Sequence, residues 1–307
     1  METIKITRTS IHTFLHHYNY FTAAAILALP FSASILISSS LLPDSLSVHS
    51  RLRQLFDSAG FPPESEFFSI LNLKLSQFIS SSILILPFSL SFLLIAKAFV
   101  IQSLNKPRSS VTGIFNSILQ TQIWNTLLII SAHATCFWLL FIAFNCLENL
   151  HIPSLFFTIS GGIVYSIVIT NALITCNLAL ILSGMELNGG FISVLKACVM
   201  IRGRTSIALS LSLPVNMALA GIEALFQFRV IKTYSDSGMS KPTSTMALEG
   251  LFIAYLHSVL IIIDAIIGCV FFKSCKVAYD HNIVDEEAVR IKEDDVELVK
   301  FLAKDLS

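Results

Sequence analysis

The stretch ALEGLFIAYLHSVLIIIDAIIGCVFF, residues 247–272, decides the fold. As an α-helix it would extend about 39 Å at 1.5 Å per residue, more than the roughly 30 Å of a bilayer's hydrocarbon core. Lipid offers no hydrogen bonds to the backbone, so an apolar run of this length has to pair its amides internally as a helix. Five further stretches have the same character: Phe21–Leu42, Ser76–Gln102, Trp124–Leu147, Ser154–Ser183 and Ser206–Phe228. The expected fold class is all-α, a polytopic membrane bundle of about six transmembrane helices with short interfacial helices.

Composition agrees. The chain is 54% hydrophobic and 13% charged, with a mean hydropathy of +0.75, whereas about a quarter of the residues in soluble domains are charged. The formal net charge is zero, yet it divides along the chain. From Asp280 to Ser307 nine acidic residues face four basic ones, a balance of −5. The rest carries the compensating +5, suited to anionic lipid head groups, and the tail reads as solvated, with room for a short helix over Ile283–Leu302. Three segments follow: a cytosolic N-terminal segment over 1–20, a six-span domain over 21–276 and an acidic cytosolic tail over 277–307. The partners this implies are membrane lipids and a protein bound at the acidic tail. Basic residues are too scattered for a nucleic-acid surface.

Lys and Arg near membrane ends orient the bundle, because basic residues resist translocation. With the N-terminus cytosolic, ten of them (Lys5, Arg8, Lys106, Arg108, Lys196, Arg202, Arg204, Lys273, Lys276 and Arg290) lie on the cytosolic side against six opposite. Both termini are therefore expected in the cytosol. The first span is expected to stay uncleaved, since its apolar run to Leu42 exceeds a signal-peptide core, although Ser32-Ala33-Ser34 has the look of a cleavage site. Endoplasmic reticulum or plasma membrane is the favoured location; a plastid membrane stays open.

The loops differ in kind. Val48, Leu52, Leu55 and Phe56 follow a helical period within Ser45–Ser58, which predicts a helix lying in the interface. Glu148–Pro153 leaves only a tight turn, and Arg229–Met246 reads as irregular. Gly113–Gln120 and Gly189–Lys196 match in Gly, Phe, Ser and Leu at an offset of 76 residues. They suggest a parallel repeat of an interfacial helix plus a hairpin, with a weaker third copy at Ser10–Tyr20.

Ionisable groups at membrane depth cost about 2.5–3.5 kcal/mol each on insertion scales, so each needs a partner, water or a route to the interface. Depths counted along the helices group Lys97, His133, Asn177 and Asp264 into one cytosolic-side layer. There Lys97 would pair with Asp264 while His133 and Asn177 supply hydrogen bonds. Nearer the other side, Glu223 and His257 would meet if the last two spans pack together. Interhelical glue and snorkelling explain such residues at least as simply as a solute or proton path does. Soluble-enzyme signatures are absent: there is no phosphate-binding P-loop, no H-E-x-x-H, no G-x-S-x-G and no paired C-x-x-C. No cofactor, metal site or catalytic residue is expected. Adjacent His16 and His17 point to different helix faces and make a poor metal site. The six cysteines sit in or beside the apolar spans and form no disulfide framework. Among them Cys275, at a membrane exit, is the candidate for palmitoylation.

The segments Arg202-Gly203-Arg204-Thr205 through Val230, and Ala247-Leu248-Glu249-Gly250 through Lys273-Ser274-Cys275-Lys276, resemble a family of uncharacterised plant polytopic membrane proteins. The resemblance covers most of the chain and is strongest over the last two spans. It implies a membrane class and a plant source and carries no activity.

Overall fold

The computed structural model describes residues 2–38, 46–58, 66–105, 110–148, 154–233 and 244–305. Among these there is no strand, and the elements are α1 (Glu2–His16), α2 (Tyr18–Ser38), α3 (Leu46–Ser58), α4 (Glu66–Phe88), α5 (Leu94–Leu104), α6 (Val111–Glu148), α7 (Ser154–Glu186), α8 (Phe191–Ile201), α9 (Thr205–Phe226) and α10 (Ser244–Asp305). Six segments are long and apolar enough to cross a membrane: Tyr18–Ser38, Ile79–Leu104, Val111–Leu140, Ile159–Glu186, Thr205–Lys232 and Ser244–Val277. The all-α class and the six spans expected from the sequence are both present.

α10 lies at the centre, packed against α2, α9, α1, α5, α7 and α8. Its apolar window is 56% buried, against 11% for that of α6 and 17% for that of α9, so the last two turn most of their apolar surface outward, where lipid is the only favourable medium. The largest core joins Leu94 and Ile101 of α5, Ile114 and Ile118 of α6, Leu180 to Leu182 of α7, Val194 of α8 and Phe272 of α10. A second core seats Phe21, Ala25 and Ala28 of α2 on Ile262, Ala265 and Ile266 of α10. Small residues there bring the two backbones close, as membrane helices require when lipid is as apolar as leucine.

Two spans contain wide π-helical turns. Ser89–Leu93 joins α4 to α5 two residues after Pro87, so a proline and a π turn interrupt the regular ladder in succession. Ser91 Oγ donates to the Pro87 carbonyl at 2.6 Å. Gln227–Lys232 extends α9, so the first residues of the loop expected to be irregular continue the helix; residues 234–243 of that loop lie outside the described residues. So do 149–153 of the expected tight turn, residues 39–42 at the end of the first apolar run, and Lys106 and Arg108.

A helix is present where one was expected over Ser45–Ser58: α3 spans Leu46–Ser58. The repeat is only half visible. Gly189–Lys196 enters a separate helix, α8, which ends at a turn through Gly203 (φ +83°) before α9. That backbone conformation is open to glycine and costly for other residues. Gly113–Gln120 instead runs unbroken into its span as part of the 38-residue α6. The third copy behaves like α8, since α1 ends at His16 and α2 begins at Tyr18. The tail is no short separate helix: α10 continues for 62 residues to Asp305.

Candidate functional site

Three helices meet at a chain of polar side chains. Lys97 Nζ, on α5, donates to Asn177 Oδ1 on α7 at 3.0 Å. Asn177 Nδ2 in turn donates to Asp264 Oδ2 on α10 at 3.0 Å. Lys97 is seven residues from the end of α5, so the chain lies about 10 Å inside the basic end of the bundle. The wide turn at Ser89–Leu93 helps to aim it. Each residue of an α-helix turns about 100°, and the extra residue held in a π turn rotates α5 by that amount relative to α4.

The carboxylate faces a cleft of about 40 Å³ bordered by Asn177 of α7, Ser212 of α9 and Asp264 and Gly268 of α10. That is room for about two or three waters. Gly268 sets the spacing of its wall: a Cβ built there would come within 2.2 Å of Ile181 Cδ1. Its bare backbone lets α7 approach α10 closely enough for Asn177 to reach Asp264.

His133 does not join this layer. Its Nδ1 bonds the Tyr165 hydroxyl at 2.7 Å on the α6–α7 seam. The expected depth started the helix at Trp124, whereas α6 starts at Val111. The residue of α6 at the level of Asn177 is Asn125, whose Nδ2 donates to the Cys176 carbonyl at 2.8 Å. His133 lies eight residues, about 12 Å, farther along. Asn125 sat at the boundary of the apolar run, where an amide passes for an interfacial residue, and Tyr165 carries no formal charge to mark it within its apolar span.

Glu223 and His257 do meet, with Oε1 3.7 Å from Nε2 on the α9–α10 seam. His257 is 2% exposed, and among the described residues its Nδ1 has no hydrogen-bond partner; Ser32 Oγ on α2 is likewise buried and unpartnered among them. The two share a level. Ala28 packs with Ile262 and Ala265, Leu36 packs with Ile253 and Ala254, and Ser32 and His257 fall between those contacts on their antiparallel helices. This pair sits on a different seam from the Lys97–Asn177–Asp264 chain.

The basic end is tied by ion pairs that the sequence reading did not single out. Glu186, at the end of α7, holds Lys196 of α8 at 2.5 Å and Lys276 of α10 at 3.3 Å. Glu2 lies 3.6 Å from Arg204, and Lys273 Nζ donates to the Leu104 carbonyl at 2.8 Å. Cys275 is 2% exposed, packed beside Arg204, so acylation there would require the end of α10 to leave its neighbours. Cys198, on α8, is the exposed cysteine among those described. His16 Nδ1 and His17 Nε2 are 3.3 Å apart, and no group of three metal-ligating side chains occurs among the described residues.

No curated protein and no solved structure matches the chain. A family model covers residues 2–300, nearly the whole bundle and its tail. The chain belongs to that family, described as a domain of unknown function (DUF8558).

Proposed function

We propose that this chain is a multi-pass membrane protein that works as a packed helical platform, through lipid and partner contacts, with the acidic segment over 277–307 as its cytosolic partner-binding tail. The observation that carries this reading is the Lys97–Asn177–Asp264 chain, in which each side chain comes from a different helix. Groups costly to bury are spent on each other across helix seams, as interhelical glue. The seam between Glu223 and His257 is separate, so the ionisable groups support two staples in preference to one continuous path. The resemblance to plant polytopic proteins supports a plant source, the ten basic residues assigned to one end support that end facing the cytosol, and the membrane proposed is the endoplasmic reticulum or the plasma membrane.

The second reading is a small-solute or ion transporter using Asp264, Lys97 and Glu223. The cleft beside Asp264 favours it. Reconstitution of the purified chain in liposomes separates the two. The platform reading expects Asp264→Asn to lower thermal stability while leaving cation and proton flux at the level of protein-free vesicles in both forms. Flux through the unmodified chain that Asp264→Asn abolishes would establish the transporter instead.

A further inference from the structure

α1 presents three faces, one more than an interfacial helix on a protein surface needs. Ile6, Ser10 and Phe14, at four-residue spacing, are buried against the bundle. Ile4, Ile11 and Leu15 point elsewhere and are 74%, 48% and 64% exposed. At 100° per residue these three fall within about 40° of one another and about 120° away from the buried face. Arg8 and His12 lie about 40–80° farther round, at the edge of the polar face. Between this outer apolar face and α9 runs an open groove of about 600 Å³, walled by Ile4, Arg8, Ile11, His12, Leu15 and Ser210 among others. Ser210 is five residues into α9, about 8 Å from its start, so the groove opens at the boundary between head groups and acyl chains.

The charge around the groove is predominantly basic, with Glu2 paired to Arg204. Arg8 makes no ion pair among the described residues, and Arg204, at the start of α9, is half-buried beside Glu2. Lys5, Arg202, Lys273 and Lys276 are exposed at the same end of the bundle. An apolar trough with an exposed guanidinium on its rim, in a basic setting, matches one molecule that carries both an acyl chain and an anion. We infer that the α1–α9 groove binds an anionic phospholipid, its acyl chain along Ile4, Ile11 and Leu15 and its phosphate and head group on Arg8.

The site rests on the membrane reading above, and it fails separately from it. A chain monodisperse in buffer without detergent would sink the membrane reading. Lipid titration of the full-length chain in detergent, read by native mass spectrometry, tests the groove alone. Dioleoylphosphatidylserine should bind at least about five-fold more tightly than dioleoylphosphatidylcholine, the effect of about one basic contact. Arg8→Gln should remove that preference, and Ile11→Glu should weaken both lipids. Lys232→Gln, at the opposite end, should change neither, and all three variants should elute as the parent does. Soluble glycerophosphoserine should fail to compete at matched concentration. Equal binding of the two lipids, an unchanged preference in Arg8→Gln, or full competition by the soluble head group would each overturn the assignment.

Discussion

Asn177 lets a lysine and an aspartate share one hydrogen-bonded chain while sitting on helices that the amide holds apart. It accepts from Lys97 and donates to Asp264, so each charge has a partner inside a low-dielectric medium. Removing one charge of such a set leaves the other buried without compensation, while removing both together is often neutral. Lys97→Met alone should therefore cost about 3 kcal/mol, and Lys97→Met with Asp264→Leu should recover most of it. Equilibrium unfolding in mixed micelles measures both, and two single losses that simply add would refute the coupling. Ser32 offers the opposite case. Its hydroxyl is buried without a partner among the described residues, so Ser32→Ala should leave stability unchanged or raise it by up to about 1 kcal/mol. A loss above that range would reveal a water or ligand bound between Ser32 and His257. Residue types announced the polar groups in the sequence, because a lysine or aspartate among twenty apolar neighbours stands out. Which of them meet was legible for Glu223 with His257 and for Lys97, Asn177 and Asp264. It was misjudged for His133, since an apolar run marks where lipid begins and says little about where the helix does.

At the scale of elements, the register of α5 depends on the wide turn before it. Deleting Ser89 should close that turn into regular α-helix and leave the rest of the bundle in place. Deleting Ala98, on the far side of Lys97 from the turn, should rotate Lys97 by about 100° against the rest of α5, a change the turn cannot absorb. The first variant should unfold near the parent temperature and the second well below it; equal losses would remove the π turn from the account of Lys97. Gly268→Val probes the neighbouring seam. Its added methyls meet Ile181, and overpacking of this kind costs about 1–3 kcal/mol, measured in the same micellar assay. Hydropathy made the six spans legible, and period made α3 legible, because both signals are written in consecutive residues. The breaks were not. α8 stops before its span and the equivalent part of α6 does not, and the difference turns on a positive-φ glycine between two arginines. Nothing in apolar content marks that.

For the whole molecule, the organising fact is the central place of α10. It packs on six other helices, carries both His257 and Asp264, holds Glu186 through Lys276 and then continues to Asp305. Anything that binds the tail therefore pulls on the same helix that bears the polar chain. Such a coupling was outside the reach of the sequence, where the tail and the last span look like separate segments divided by a change in charge. What the sequence predicts is an even number of crossings, and with it both ends on one side. The most direct test is protease protection of tags at both termini of the full-length chain in sealed microsomes. Six crossings with the basic end inward predict that both tags are cleaved from the cytosolic side without detergent. Protection of one tag and cleavage of the other would mean an odd number of crossings, and the six-helix bundle would be wrong.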